Sequence, residues 1–362
     1  MSDPAASLTM PRPTVRSVLR LLLSLGVAAA LLGWALPRVT DTTWSAIIDI
    51  LATVPGLALA ACFALTIAFL VSYAVTLRAS LPGLTIPKAF IVNTAGTTVS
   101  KLFPGGGAVG LAATFMLCRS WGFSLRAVTT SAIVTGVWNT LTRVALPVLA
   151  IGLLAATHTA MPGLLRQAAW GAALSGLAIL AVFVGIIASR RVADVVGRAV
   201  DRTVERLRPR RGRRRRAQAA MRDTRARIIE RVQVAWVPLT LGMVGFFAAQ
   251  LGIFLISLHV TGIELAFAPA FAAFALGRLL TAVGITPGGI GITETGTAAA
   301  LVAFGADPAL SAAAVILMSI FTNLAEIPFG VMSWVLWSVD PQTHFRSRDR
   351  EPQEAMPSSR RT

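Results

Sequence analysis

Five charged residues stand inside or beside long apolar runs: Lys101, Arg143, Arg278, Glu294 and Glu326. A charge at membrane depth is costly, and by default it marks a functional site. Two of them flank unusual backbone. Glu294 closes the stretch TPGGIGITETG (Thr286 to Gly296), and Lys101 precedes Phe103-Pro104-Gly105-Gly106-Gly107. Proline ends one helix and can begin the next, and glycine permits the sharp turn between them. Each break is expected to start a new helix near the membrane interior. The free N–H groups and positive dipole end would then point at the midplane. Gly105, Gly106 and Gly107 on one side, with Gly288, Gly289 and Gly291 on the other, are therefore candidates to cradle an anion such as a phosphate or carboxylate. The blander alternative is that these glycines only let helices pack closely.

The charges have candidate partners. Arg278 lies about two turns before the turn into Pro287, which makes it the natural counter-ion of Glu294. That pair could bind substrate or simply lock the break, and Glu294 could equally be a first-turn carboxylate on its own helix dipole. Arg143 and Glu326 occupy long spans at equivalent depth. They are expected to face each other or a shared cavity, unless each lies nearer an interface. Lys101 is placed to neutralise a phosphate or to snorkel to a headgroup. Asn93, Asn139 and Asn323 suit interhelical hydrogen bonding.

Other chemistries find little support. Cys62 and Cys118 have no CxxC or zinc spacing, and His158, His259 and His344 are scattered. No metal, cofactor or catalytic constellation is expected, so the chain is not read as an enzyme. A membrane-embedded enzyme remains the runner-up, with Glu294 and Glu326 as its acid/base groups. No nucleotide-binding loop is present. Transport would be downhill or ion-coupled, with the same two carboxylates as proton carriers.

The elements that must carry these residues follow from composition. The chain has 362 residues, 55% hydrophobic and 14% charged, with mean hydropathy +0.71. These values indicate a multi-pass, all-α membrane protein. A span needs ~20 apolar residues. Six candidates are 18–36, 56–78, 127–157, 167–188, 235–258 and 309–338. The first is read as a membrane helix and not a cleaved leader. The third contains Pro147 and is open to division into two pieces. Regions 89–117 and 266–304 are apolar but broken. The halves of 89–117 are too short to cross, which predicts a re-entrant helix pair. Region 266–304, whose first half is longer, is assigned as a second pair by analogy.

A shift of 183 residues lays Pro104-Gly105-Gly106 on Pro287-Gly288-Gly289, Gly122 on Gly305, and Arg143 on Glu326. Three spans separate the two broken regions, so the second copy would be inverted, as in many transporters. With both termini in the cytoplasm, only Arg38 and Arg166 among the basic residues of loops and tails fall outside. The domains read as a tail 1–16, a first membrane half 17–188, a basic loop 189–232, a second half 233–338 and a disordered tail 339–362.

Net charge is +17, and residues 189–232 hold 16 arginines against 5 acids. No aromatic residues are interleaved in this stretch, so nucleic acid is not expected. A cytoplasmic loop beside anionic lipid headgroups is the natural partner, with amphipathic surface helices at 193–208 and 217–232. A scaffold that recruits a partner through this loop is a third reading. Oligomerisation is left open. Arginine supplies 31 of 33 basic residues, a usage typical of GC-rich bacterial genomes, and the inner (plasma) membrane is the expected location.

Gly277-Arg278-Leu279-Leu280, then Thr286 to Glu294, then Phe304-Gly305 resemble a signature of the flippase-like membrane domain of lysylphosphatidylglycerol synthases and its stand-alone relatives. Asn93, Leu102 to Gly106 and Gly110 are also similar, and the likeness covers roughly 17 to 338. The resemblance implies re-entrant helices and movement of lipids, such as aminoacylated phosphatidylglycerol, between leaflets. It carries over Arg278, Glu294 and both PGG breaks as site residues. Family members often place an arginine in the last long span, where this chain has Asn323 and Glu326. The aminoacyl-transferase domain is missing from these residues, so the expectation is a chain that moves a lipid without charging it.

Overall fold

The computed structural model describes residues 43–102, 106–159, 163, 214–281, 286 and 289–340, and only the backbone over 214–225. The spans expected at 18–36 and 167–188, the tail 1–16, most of the basic loop, and Gly105 and Gly288 lie outside them. Among the described residues every regular element is helical. In chain order these are α1 (Trp44–Ala52), α2 (Gly56–Ser80), α3 (Ile86–Leu102), α4 (Gly106–Ser120), α5 (Leu125–Ala156), α6 (Arg214–Val260), α7 (Phe267–Leu280), α8 (Ile292–Ala303) and α9 (Pro308–Ser319). A π-helix (Ile320–Leu324) then leads into α10 (Glu326–Val339).

Four segments are long and apolar enough to cross a membrane: Gly56–Ser80, Leu125–Ala156, Ala226–Val260 and the composite Pro308–Val339. Local chemistry fixes where two of them, Leu125–Ala156 and Pro308–Val339, begin. Ser124 Oγ accepts the Ala127 N–H at 3.2 Å. Asp307 Oδ1 accepts those of Ala309 and Leu310 at 2.9 and 3.0 Å, with Pro308 at the first helical position. These are ordinary N-caps. Pro147 does not divide α5, which is one helix of 32 residues. The proline removes one backbone bond, and the rest of the helix and its neighbours hold it.

Between the spans lie the two interrupted regions. Region 89–117 folds as α3 and α4, of 17 and 15 residues. Region 266–304 folds as α7 and α8, of 14 and 12 residues. At 1.5 Å per residue each helix is about 18–26 Å long, short of the ~30 Å hydrocarbon core. The first half of the second region is thus shorter than its apolar run suggested, because the run continues into the break. Within each pair the two helices pack on each other.

The basic segment also departs from expectation. Residues 217–232 do not form a separate helix. They belong to α6, which runs unbroken from Arg214 to Val260 through the boundary expected at 232. Arginine and alanine are strong helix formers, and no glycine or proline interrupts them before Pro238. Two further elements had no clear sequence signal. The short α1 starts on Thr43, whose hydroxyl accepts the Ala46 N–H, and the π-helix interrupts the last span.

The most extensive packing is between α2 and α6. Small residues make it possible. A Cβ on Gly242 would lie 2.8 Å from the Ser72 carbonyl oxygen and 2.9 Å from the Thr76 N. A second set of contacts runs crosswise, with α10 against α3 and α7 against α5. Here Thr94 Oγ1 and Ser333 Oγ share a hydrogen bond at 2.7 Å, and Trp334 Nε1 donates to the Ala95 carbonyl at 3.3 Å. At the end of α10, Trp337 Nε1 donates to Ser120 Oγ and Trp121 Nε1 to Asp340 Oδ2, both at 2.9 Å. The main core joins α2, α5, α6, α7, α8 and α9 around Phe254, Phe274 and Leu301.

Gly242→Ala is expected to force α2 and α6 apart and to cost about 1–3 kcal/mol, the usual range for overpacking a tight contact. Thermal unfolding in detergent measures the loss.

Candidate functional site

The buried charges gather around the ends of the broken helices. Glu294 is the third residue of α8 and is 1% exposed. Its Oε2 accepts the Gly291 N–H at 2.6 Å, which makes it the acidic half of a capping arrangement at its own helix start. Its Oε1 accepts Ser319 Oγ at 2.5 Å and Asn323 Nδ2 at 3.5 Å. The positive end of α8 therefore already holds a carboxylate, supplied by the protein itself. Gly291 (φ 89°) and Gly289 (φ 78°) take left-handed conformations that let the chain turn into this start.

Arg278 does not meet Glu294. It sits in the last turn of α7, 8% exposed, where helical side chains lean back toward the N-terminus. Its guanidinium lies over the Phe274 ring at 5.5 Å, and Nη1 donates to Gln250 Oε1 of α6 at 3.0 Å. Glu294 and Glu326 act on it at longer range, as does Arg143. The direct Arg278–Glu294 pair expected from spacing is replaced by these two separate sets of bonds.

The expected Arg143–Glu326 contact is likewise replaced. Arg143 reaches across to the other broken region. Its Nη1 donates to the Arg278 carbonyl at 3.2 Å and to Thr281 Oγ1 at 2.5 Å, and its Nε to Asn139 Oδ1 at 2.8 Å. It thus caps the open carbonyl end of α7. Glu326 pairs instead with Lys101, at 2.6 Å between Nζ and Oε2, the one ion pair among the described residues. The Lys101 ammonium also donates to the carbonyls of Thr322 and Asn323, at 3.1 and 3.3 Å. Those carbonyls belong to the π-helix.

Of the glycines, Gly106 faces the Ser100 backbone so closely that a Cβ would collide with it, whereas Gly107 has open space. A residue at Gly289 would press on Thr281 and Thr293 at 3.1 Å. The α4 helix, unlike α8, has no acidic residue in its first turn. Four buried side-chain polar atoms lack a partner among the described residues: Thr98 Oγ1, Arg278 Nε, Thr286 Oγ1 and Thr293 Oγ1. Three of them fall between 278 and 293. Buried groups of this kind call for a water or ligand.

Lys101, Arg143 and Arg278 against Glu294 and Glu326 leave an excess of one positive charge. Sequence reasoning named all five but not Gln250, Thr281 and Ser319, the neutral residues that orient them. No periodicity or charge signal marks such residues.

The family described as the lysylphosphatidylglycerol synthase TM region matches residues 19–330, a range that holds every residue of this cluster. The chain belongs to this family. No curated protein matches it. Membership gives the apolar helices a membrane setting and ties the chain to membrane lipid.

Removing one partner of the Lys101–Glu326 pair leaves a buried charge uncompensated, typically a loss of about 3–5 kcal/mol. Lys101→Met and Glu326→Leu are each expected to show it. The double variant is expected to recover much of the loss, read as a thermal-unfolding double-mutant cycle.

Proposed function

We propose that this protein is a lipid translocase that carries an anionic or aminoacylated phospholipid headgroup past the membrane midplane while the acyl chains stay in lipid. The observation that carries the reading is the cluster of five buried or half-buried charges, with one positive charge in excess, around the ends of two broken helices. Such a cluster favours an anionic group and offers carboxylates for an accompanying ammonium. Family membership supports a lipid substrate.

The reading takes α3–α4 and α7–α8 as re-entrant pairs of an inverted repeat. Its support is the match of elements under the shift of 183 residues. That shift carries Leu125–Ala156 onto 308–339, the bounds of the composite span. It also lays the cap Ser124 on Asp307 and overlaps α2 with α6, the two helices that pack most closely. The termini are taken as cytoplasmic, with the arginine-rich segment before α6 against anionic headgroups of the inner membrane. Both carboxylates of the cluster are bonded to donors of the protein itself, which weighs against an acid/base enzyme at this site.

The test is headgroup translocation in proteoliposomes with labelled anionic, zwitterionic and aminoacylated lipids. Wild type is expected to move at least one of them. Glu294→Gln and Gly289→Leu are expected to lose most of that rate while remaining folded. Folded wild-type protein that moved no lipid would overturn the reading.

A further inference from the structure

The Lys101–Glu326 pair has a geometry that a merely structural pair does not need. An ammonium has three hydrogens to donate. Here all three are committed, one to the Glu326 carboxylate and two to the carbonyls of Thr322 and Asn323. The carbonyl bonds hold the ammonium on the π-helix. The carboxylate bond supplies charge, and an oxyanion can take its place. Lys101 is the second-last residue of α3, at the edge of the first break, and its side chain is 10% exposed against 6% for Glu326. Lys101 is partly exposed, whereas Arg278, the cation on the other broken region, is buried.

The pair also joins two elements. Lys101 ends a helix of the first broken region, and Glu326 begins α10. Along the rest of this seam the contacts are short and polar. Thr94 meets Ser333, Trp334 meets the Ala95 carbonyl, and Gly330 lies against the Thr94 carbonyl oxygen, where a Cβ would be 2.7 Å away. The charged contact closes the end of this seam of neutral hydrogen bonds, and a charge-assisted bond is roughly twice as strong as a neutral one.

We infer that Lys101 is the receptor for a phosphate oxyanion, and that it receives it by exchanging Glu326 for it, so that binding unlocks α3 from α10. The inference rests on the translocase reading and names the ligand chemistry of its site. Lys101 stays anchored on the π-helix carbonyls while its carboxylate partner is replaced. The incoming single negative charge cancels the excess positive charge of the cluster. Asn323, whose carbonyl is one of the Lys101 anchors, donates its Nδ2 to Glu294 of α8 and so links the two carboxylate-bearing ends of the cluster. The α3–α10 seam then parts. The oxyanion comes from a lipid headgroup or from free phosphate, and the experiment separates the two.

The test uses full-length protein with Cys62 and Cys118 replaced by alanine and with Thr94→Cys and Ser333→Cys introduced across the seam. The two hydroxyls are within hydrogen-bond distance, so the cysteines are expected to cross-link on oxidation. The protein is placed in vesicles of phosphatidylglycerol, of an uncharged glycolipid, or of the glycolipid with inorganic phosphate added. Cross-linking is expected to be efficient in glycolipid and to be lost in phosphatidylglycerol. Loss with inorganic phosphate as well would assign the site to any phosphate oxyanion, and loss in phosphatidylglycerol alone would assign it to the lipid. Glu326→Gln is expected to lose cross-linking in all three vesicles. Lys101→Met is expected to give the same yield in all three. Equal yields in all three vesicles for the parent, or a lipid response that survives in Lys101→Met, would overturn the exchange. Parent protein that translocates lipid with an unchanging cross-link yield defeats the exchange alone. Absence of translocation defeats the reading beneath it.

Discussion

Interrupting a helix inside a membrane exposes backbone donors on one side of the cut and acceptors on the other, and no water is there to meet them. The buried charges of this protein answer that constraint. Glu294 takes the Gly291 N–H at the start of α8, Arg143 donates to the Arg278 carbonyl at the end of α7, and Lys101 donates to two carbonyls of the π-helix. Three of the five charges thus bond backbone, while Arg278 bonds Gln250 and Glu326 bonds Lys101. These partners take the place of the two simple ion pairs suggested by spacing, Arg278 with Glu294 and Arg143 with Glu326. The backbone ends are nearer, and leaving them bare costs more than separating charges that still act at longer range.

The bonds run crosswise. Arg143 on the long span α5 secures the second broken pair, and Glu326 on the last span secures the first. The same crossing appears in the packing of α5 with α7 and of α10 with α3. Each half thus supplies a charged bond to the interrupted helices of the other.

The two breaks are not chemically equal. The start of α8 carries its own carboxylate, while α4 starts without one and has Lys101 just before the break. The second break carries its own counter-charge, and the cation beside the first is paired across to Glu326 on the last span.

The sequence by itself determined the class of protein, the positions of the described spans and the two breaks. Hydropathy over ~20 residues and the placing of Pro and Gly are local signals, and they remain legible without any neighbour. It also singled out Lys101, Arg143, Arg278, Glu294 and Glu326, because a charge in an apolar run stands out against its background. Tertiary structure alone decided who bonds to whom. Glu294 turns back on Gly291, Arg278 leans toward Gln250, and Lys101 of the first half finds Glu326 of the last span 225 residues away. Those choices depend on which backbone ends come to lie beside each side chain once α3, α5, α7 and α10 have packed. They also depend on a π-helix that shifts the register of the last span at Asn323. The sequence held the charges, and only the fold brought the interrupted backbone to them.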